Sequence, residues 1–368
     1  MVKVRIVREK GDQSMTLTIN TNISSIIADR NLNNATNKLN KSLERLSTGY
    51  KINHASDNAA GYSIADTWTT QISSLDIAAA NASTGNDLLT TAEQTYSLLT
   101  GHLQRIRDLT EQAANGTYGS GSLKAVQSEI YARLQEIDRI SANAEFNSIK
   151  LMSYNDSDST KNTGIGITSN GLNLQVGLYS EGDSVINLDI SLFKSSKISS
   201  LFSGGETTVY TRDSKGDVTE QTVQLSKLLQ DAGGSIAALN TQDGLRAMAA
   251  ACSALKYTPA ASGEGTYSLL SDTTGTFGAE AMIGFIDDAI DEIARRVTKI
   301  GAAQNRVESA ISAIDVQSQN LTSSLSTLRD TDVASESSKF IQSQILQQAS
   351  ATLLATANQT PQIAVNLL

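Results

Sequence analysis

Between Ile283 and Leu328 apolar residues recur three and four positions apart: Ile283, Ile286, Ile290, Ile293, Val297, Ile300, Val307, Ile311, Ile314, Leu321, Leu325 and Leu328, with Gln304 and Ser318 as interruptions. A 3,4 alternation averages about 3.5 residues per repeat, the spacing that keeps one apolar seam of an α-helix turned toward partner helices. At about 1.5 Å per residue such a helix is roughly 70 Å long. Globular helices usually stop after about 10 to 14 residues, so the pattern predicts an element of a rod.

Three further helical stretches are expected near the N-terminus. The first covers residues 23 to 47, with the seam Ala28, Leu32, Ala35, Leu39 and Leu46 and with Gly49 as its C-terminal stop. A loop over residues 50 to 56 follows, and Ser56 or Asp57 is placed to cap the next helix. That helix runs from Asn58 to about Ala114 through Tyr96, Leu99, Leu103 and Ile106. Gly61, Gly85 and Gly101 each weaken it by about 1 kcal/mol relative to alanine, which leaves it open to a break near Gly85. Leu123, Val126, Ile130, Leu134 and Ile137 define the third helix, ending near Ile140. The two prolines, Pro259 and Pro361, fall outside all these stretches, so no proline interrupts them.

The middle of the chain differs. Of 25 glycines, 15 lie between residues 155 and 280, where turns and strand ends would use them. Leu172, Leu174 and Val176, then Val185, Ile186, Leu188 and Ile190, alternate on either side of Glu181, Gly182 and Asp183, as in a β-hairpin. A second hairpin is expected from Thr207 to Val223 around residues 213 to 216. Leu225, Leu228, Leu229, Ala237, Leu245, Met248 and Leu255 then mark one or two short helices. The second hairpin and these helices form a small α/β insert from about Lys197 to Phe277.

Seams at opposite ends of one chain are most simply satisfied by packing on each other. The expected fold is therefore mainly α: an elongated antiparallel helical bundle or coiled-coil rod built from both chain ends, with a β-hairpin and a small α/β insert held away from it. The divisions are 1–14, a non-native or upstream extension outside the pattern; 15–57, an N-terminal assembly segment; 58–196, the N-terminal half of the rod with the hairpin; 197–280, a variable surface insert; 281–328, the C-terminal rod helix; and 329–368, a C-terminal assembly segment. In the last of these, Ile341, Ile345, Leu346, Leu353 and Leu354 are interspersed with glutamines. Short, weakly amphipathic helices are marginal alone in water and need a partner surface. Ile23, Leu32, Leu39, Leu46, Ile341, Ile345, Leu353 and Leu354 are accordingly the candidate assembly residues.

Composition narrows the chemistry. A net charge of -9 with no cluster of Lys and Arg argues against a nucleic-acid partner. Cys252 stands alone, so no intramolecular disulfide is available, and it reads as a small buried residue. No run of about 18 apolar residues is present to span a membrane, and the opening residues lack the apolar core of a secretory signal. His54 and His102 have no ligand-spaced neighbours, so no metal is expected. Gly164, Gly166 and Gly171 do not match a phosphate loop, and no cofactor is expected. Asp287, Asp288, Asp291 and Glu292 crowd one helical turn and are read as complementing a helix N-terminus. Nothing points to an enzyme.

Several blocks are recognisable together: Asn20 and its neighbours (INTN, from Ile19), LERLSTG from Leu43, INHASDNAAGYSIAD from Ile52, QRIRDLTEQAANGT from Gln104, EIYARLQEIDRI from Glu129, IGAAQNRV from Ile300, LRDTDVA from Leu328, QILQQA from Gln344 and ATANQTP from Ala355. In these the chain resembles the bacterial flagellins. The resemblance implies a secreted structural subunit, exported through the flagellar type III apparatus with the help of an export chaperone. It would polymerise with itself beneath a filament cap into the extracellular flagellar filament that drives motility. It also implies that host Toll-like receptor 5 could recognise a patch that includes Arg105, Leu109 and Glu129. Two other readings stay open, a hook-filament junction protein and a secreted adhesin or effector acting through the central insert.

Overall fold

A computed structural model gives the fold, and it describes residues 22–115, 117–152, 154, 171–179, 184–202, 206–212, 218–232, 234–235, 238–253, 255–258, 266–269 and 272–366. The extension 1–14, the glycines at 164 and 166 and the turns at 181–183 and 213–216 lie outside the described residues. The chain divides into two compact units, one within Met1–Ser73 and Gln319–Leu368, the other Ser74–Ser318.

The first unit contains α1 (Ile23–Thr48), the opening of α2 (Ala59–Ala114), the end of α7 (Asp272–Arg329) and α8 (Val333–Asn366). Helix α1 begins at Asn22, whose side chain accepts from the Ser25 N–H, and ends at Gly49 with φ of 78°, the left-handed conformation that glycine adopts without strain. The cap of α2 is neither Ser56 nor Asp57 but Asn58, whose Oδ1 accepts from the Gly61 N–H at 3.0 Å. Asp57 instead closes the preceding loop, accepting from the Asn53 and His54 N–H groups at 3.2 and 3.3 Å.

The second unit holds the rest of α2 and α7 together with α3 (Ser120–Asn143), α4 (Ile198–Leu201), α5 (Leu225–Asp231) and α6 (Gln242–Cys252). Its strands form four separate antiparallel hairpins: β1 (Glu145–Phe146) with β2 (Ile149–Lys150), β3 (Leu172–Gln175) with β4 (Val185–Leu188), β5 (Glu206–Arg212) with β6 (Val218–Gln224), and β7 (Leu255–Thr258) with β8 (Thr266–Leu269). The two central hairpins are those expected from alternation. The β1–β2 hairpin turns through Asn147 and Ser148, both at positive φ, as a two-residue type I′ connection requires.

Along α7 the fully covered aliphatics Ile286, Ile293, Ile300, Val307 and Ile314 lie seven apart, the heptad seam anticipated from the 3,4 spacing. Within this unit α2 and α7 are joined where Arg107 grips Asp287 at 2.6 Å and where Gln304, an interruption of the seam, donates to Glu93 at 3.1 Å. Tyr96 is buried and gives its hydroxyl to the Leu192 carbonyl at 2.9 Å. Arg296, 5% exposed, donates to Ser196 Oγ at 3.0 Å and to the Lys194 carbonyl at 3.1 Å, fixing that segment to α7.

Three expectations change. Helix α2 is unbroken at Gly85; a Cβ there would meet the side chain of Leu174 from β3, so the glycine makes room for the hairpin. The acidic group Asp287 to Glu292 does not mark a helix N-terminus, since α7 begins at Asp272. Asp287 pairs with Arg107, and Glu292 with Arg295 and Arg296. The insert is not held away from the helices, for α6 packs on α3, with the Arg246 guanidinium 5.5 Å from the Tyr131 ring centroid. Residues Ala247 to Cys252 are all buried, which marks a helix enclosed on every side. The Cys252 thiol is pushed up to about 12 by that burial, so it is a packing residue, not a nucleophile.

Among the described residues no helix is long and apolar enough to cross a membrane.

Candidate functional site

The feature that asks for a function is the pairing of α1 with α8 in the first unit. On α1 the covered positions are Ser25, Ala28, Leu32, Ala35, Leu39, Ser42 and Leu46; on α8 they are Glu336, Phe340, Ser343, Gln347, Ser350, Leu354 and Ala357. Both rows step three and four residues, so the helices share a coiled-coil seam. Its content is unusual. Few of these residues are large aliphatics, and the seam is joined largely by hydrogen bonds. Ser42 Oγ donates to Glu336 at 2.7 Å, Gln347 to Thr36 Oγ1 at 3.1 Å, Asn22 to the Ala357 carbonyl at 2.7 Å, and Ser25 to Asn358 at 2.7 Å.

The large aliphatics are on the other side. Ile23, Ile26, Ile27 and Leu43 of α1 and Val333, Ile341, Ile345, Leu346 and Leu353 of α8 are between 46% and 64% exposed. Single exposed apolar residues are ordinary, but nine on one helix pair leave a surface that water solvates poorly and that marks an interaction site. Small and polar side chains let the two helices approach, while the residues able to drive association face outward. This arrangement has a chemical meaning only if another apolar surface covers it.

The candidate assembly residues thus separate into two sets. Ile23, Ile341, Ile345 and Leu353 lie on the exposed face, whereas Leu32, Leu39, Leu46 and Leu354 are half-buried in the α1–α8 seam. Ile26, Ile27, Leu43, Val333 and Leu346 belong to the outward set too. Ile26, Ile27, Leu43 and Leu346 stand beside the covered positions Ser25, Ala28, Ser42 and Gln347, and hydrophobicity alone does not say that the small or polar neighbour is the inward one.

Electrostatics hold the pair at the end where the helices are joined to the rest. The side chain of Glu336 is 5% exposed and lies 3.2 Å from Lys339 Nζ and 3.8 Å from Arg45. Burial alone would raise its carboxyl pKa, but the hydrogen bonds from Ser42 and Lys339 and the charges of Lys339 and Arg45 outweigh burial and hold it below the ordinary 4.5. Asp57 is bound by Lys41 at 2.6 Å. That hydrogen bond, with those of the Asn53 and His54 N–H groups, outweighs burial and lowers its pKa from 3.8 to about 2. The two connections are stitched by their backbones, Lys51 N–H to the Arg329 carbonyl at 2.7 Å and Thr331 N–H to the Gly49 carbonyl at 2.8 Å. The Arg329 guanidinium lies 4.4 Å from the Tyr50 ring centroid, a cation–π contact.

The patch expected to meet a receptor lies in the second unit. Arg105 and Glu129 are paired at 3.1 Å with side chains 48% and 38% exposed, and Glu129 also takes Arg133 at 3.2 Å. Leu109 is 3% exposed, so its side chain is part of the core and not of the surface offered to a partner. Its neighbour Thr110 is fully buried and reaches Cys252 of α6. Among the described residues no group of three or more His, Cys, Asp and Glu side chains could hold a metal ion.

Comparison with known proteins gives these surfaces a context. Residues 19–157 match the family described as the bacterial flagellin N-terminal helical region, and residues 283–368 match the bacterial flagellin C-terminal helical region. Flagellin B of Vibrio anguillarum is 33% identical over an alignment that covers 96% of this chain and all of the relative. Flagellin A of the same organism is 34% identical, and polar flagellin F of Vibrio parahaemolyticus 32% identical, each with 96% of this chain and all of the relative covered.

Proposed function

The chain belongs to the bacterial flagellin family, and we propose that the outward aliphatic face of its paired α1 and α8 is what joins one copy to the next. As a flagellin it is a structural subunit of the flagellar filament, secreted and extracellular, and it self-polymerises for motility. The observation that supports our assignment of residues is the inversion of the α1–α8 pair, with small and polar side chains inward and Ile23, Ile341, Ile345 and Leu353 outward. Neither the junction protein nor the adhesin is better supported. The test is electron microscopy of the purified full chain together with a variant altered only on that face. Polymer from the first and none from the second is the expected result, and equal polymer from both removes the face from the interface.

Export chaperone and filament cap are further partners we propose on the family relation, both acting on subunits before or during assembly. Arg105 and Glu129 are proposed contacts for Toll-like receptor 5, supported by their exposure and by charge-assisted hydrogen bonding within reach of a partner. Arg105→Glu sets two carboxylates side by side and is expected to weaken receptor activation by monomer about tenfold or more. A reporter-cell titration with an unchanged half-maximal concentration would remove Arg105 from the contact. Leu109→Ala is expected to lower the free energy of unfolding by about 2–5 kcal/mol, as for a core leucine, and to affect signalling only through that loss.

A further inference from the structure

A subunit that adds head to tail in an open polymer carries two different surfaces, one that projects and one that receives it. The outward aliphatic face of α1 and α8 is the projecting kind. We infer that the receiving surface is the open cleft of about 590 Å³ between the start of α2 and the end of α7, and that its occupant is the aliphatic row of a second copy of this chain. The inference rests on the polymerising reading above and adds to it the complementary site.

The lining has the composition of a socket. Ile52, 5% exposed, and the half-buried Trp68 and Leu328 supply an apolar floor. Ser323 and Ser324 form part of the rim, where side chains this small leave the hollow open. Lys51 is the one charged residue of the lining, and its ammonium is turned onto the Thr327 carbonyl at 2.8 Å. Asn58 completes the polar part of the lining, so an entering isoleucine or leucine meets the apolar floor between hydroxyl, amide and ammonium edges. The walls are also fixed beforehand. The backbone bonds between Lys51 and Arg329 and between Gly49 and Thr331, with Arg329 on the Tyr50 ring, hold the two sides together before any partner arrives. Preformed sites bind more tightly because little ordering remains to be done. On the loop before α2 and on its first turns Tyr50, Tyr62 and Ile64 are 40%, 37% and 44% exposed.

Trp68 is the sole tryptophan of the chain, so the cleft carries its own reporter. On polymerisation of the full chain its emission is expected to shift to the blue, and acrylamide quenching is expected to fall severalfold. Polymer that forms normally while Trp68 keeps its monomer emission and quenching overturns the socket and leaves the assembly reading standing. Absence of any polymer removes both. Ser324→Phe fills the hollow from its exposed rim; the folded variant is expected to raise the critical concentration at least tenfold. A helical Ser324→Phe chain that polymerises like the parent also overturns the proposal. If that variant fails to fold, the Trp68 measurement on the parent chain decides alone.

Discussion

A chain carrying Ile341→Asp together with Ile345→Asp will keep α1 paired with α8 and yet stay monomeric at concentrations where the parent polymerises. Both isoleucines stand outside the α1–α8 seam, 54% and 60% exposed, so neither substitution removes a buried side chain from the folded monomer. In the polymer each aspartate loses the burial of an aliphatic side chain, about 1.5–3 kcal/mol, and the carboxylate must shed water on entering the joint. Since each 1.4 kcal/mol is about a factor of ten, the critical concentration should rise at least about a hundredfold. Sedimentation and electron microscopy read the polymer, and circular dichroism reads the helices. Leu39→Ala is the contrasting control. Its side chain lies in the seam, so helix pairing and polymer should weaken together. If the double aspartate variant polymerised at the parental concentration, the outward face would not be the joint between copies.

The contrast between those variants shows what the amino-acid pattern could and could not tell. The heptad of α7 was legible because Ile286, Ile293, Ile300, Val307 and Ile314 are aliphatic and buried in the same chain; pattern and environment agree. On α8 they disagree. Reading hydrophobicity as a guide to the inside assumes that water is outside, whereas here the outside is intended for other copies. The inward row Glu336, Ser343, Gln347 and Ser350 therefore looks like a solvated face until Ser42 and Thr36 are seen across from it. The insert was misplaced for a different reason. The composition of α6 announced a buried helix, but its partner α3 lies more than a hundred residues earlier, and nothing local to residues 242–252 names it. Sequence does not single out Asn58 as the α2 cap, since Ser56 and Asp57 have the same capping chemistry and only the closed loop commits Asp57 to Asn53 and His54. For the receptor patch, QRIRDLTEQ fixed the positions in the chain but could not show that Leu109 points into the core.

Glu336→Ala will loosen the terminal helix pair more than any other single substitution in the seam. The carboxylate accepts from Ser42 and Lys339 and forms an ion pair with Arg45 at 3.8 Å, and Arg45 Nε is already without a hydrogen-bond partner. Truncation leaves the Ser42 hydroxyl unmatched in a buried place and Arg45 without its counter-charge. Losses of this kind cost about 1–3 kcal/mol for each stranded group. The same geometry sets a pH dependence. The folded-state pKa of Glu336 lies below 4.5, so the folded pair holds the ionised form more tightly than the unfolded chain does. Its contribution is complete above about pH 4.5 and is lost as the pH falls through the lower, folded value. Asp57 acts in the same direction in the window from 3.8 down to about 2. Acid should therefore reduce the stability of α1 with α8 in two overlapping steps, followed by the helix signal of monomer at 222 nm under increasing urea. Glu336→Gln keeps an acceptor for Ser42 but cannot titrate, so the step at higher pH should vanish while the Asp57 step remains. A parent chain whose urea midpoint is unchanged between pH 7 and pH 3 would mean that the buried carboxylate does not hold the two ends of this polypeptide together.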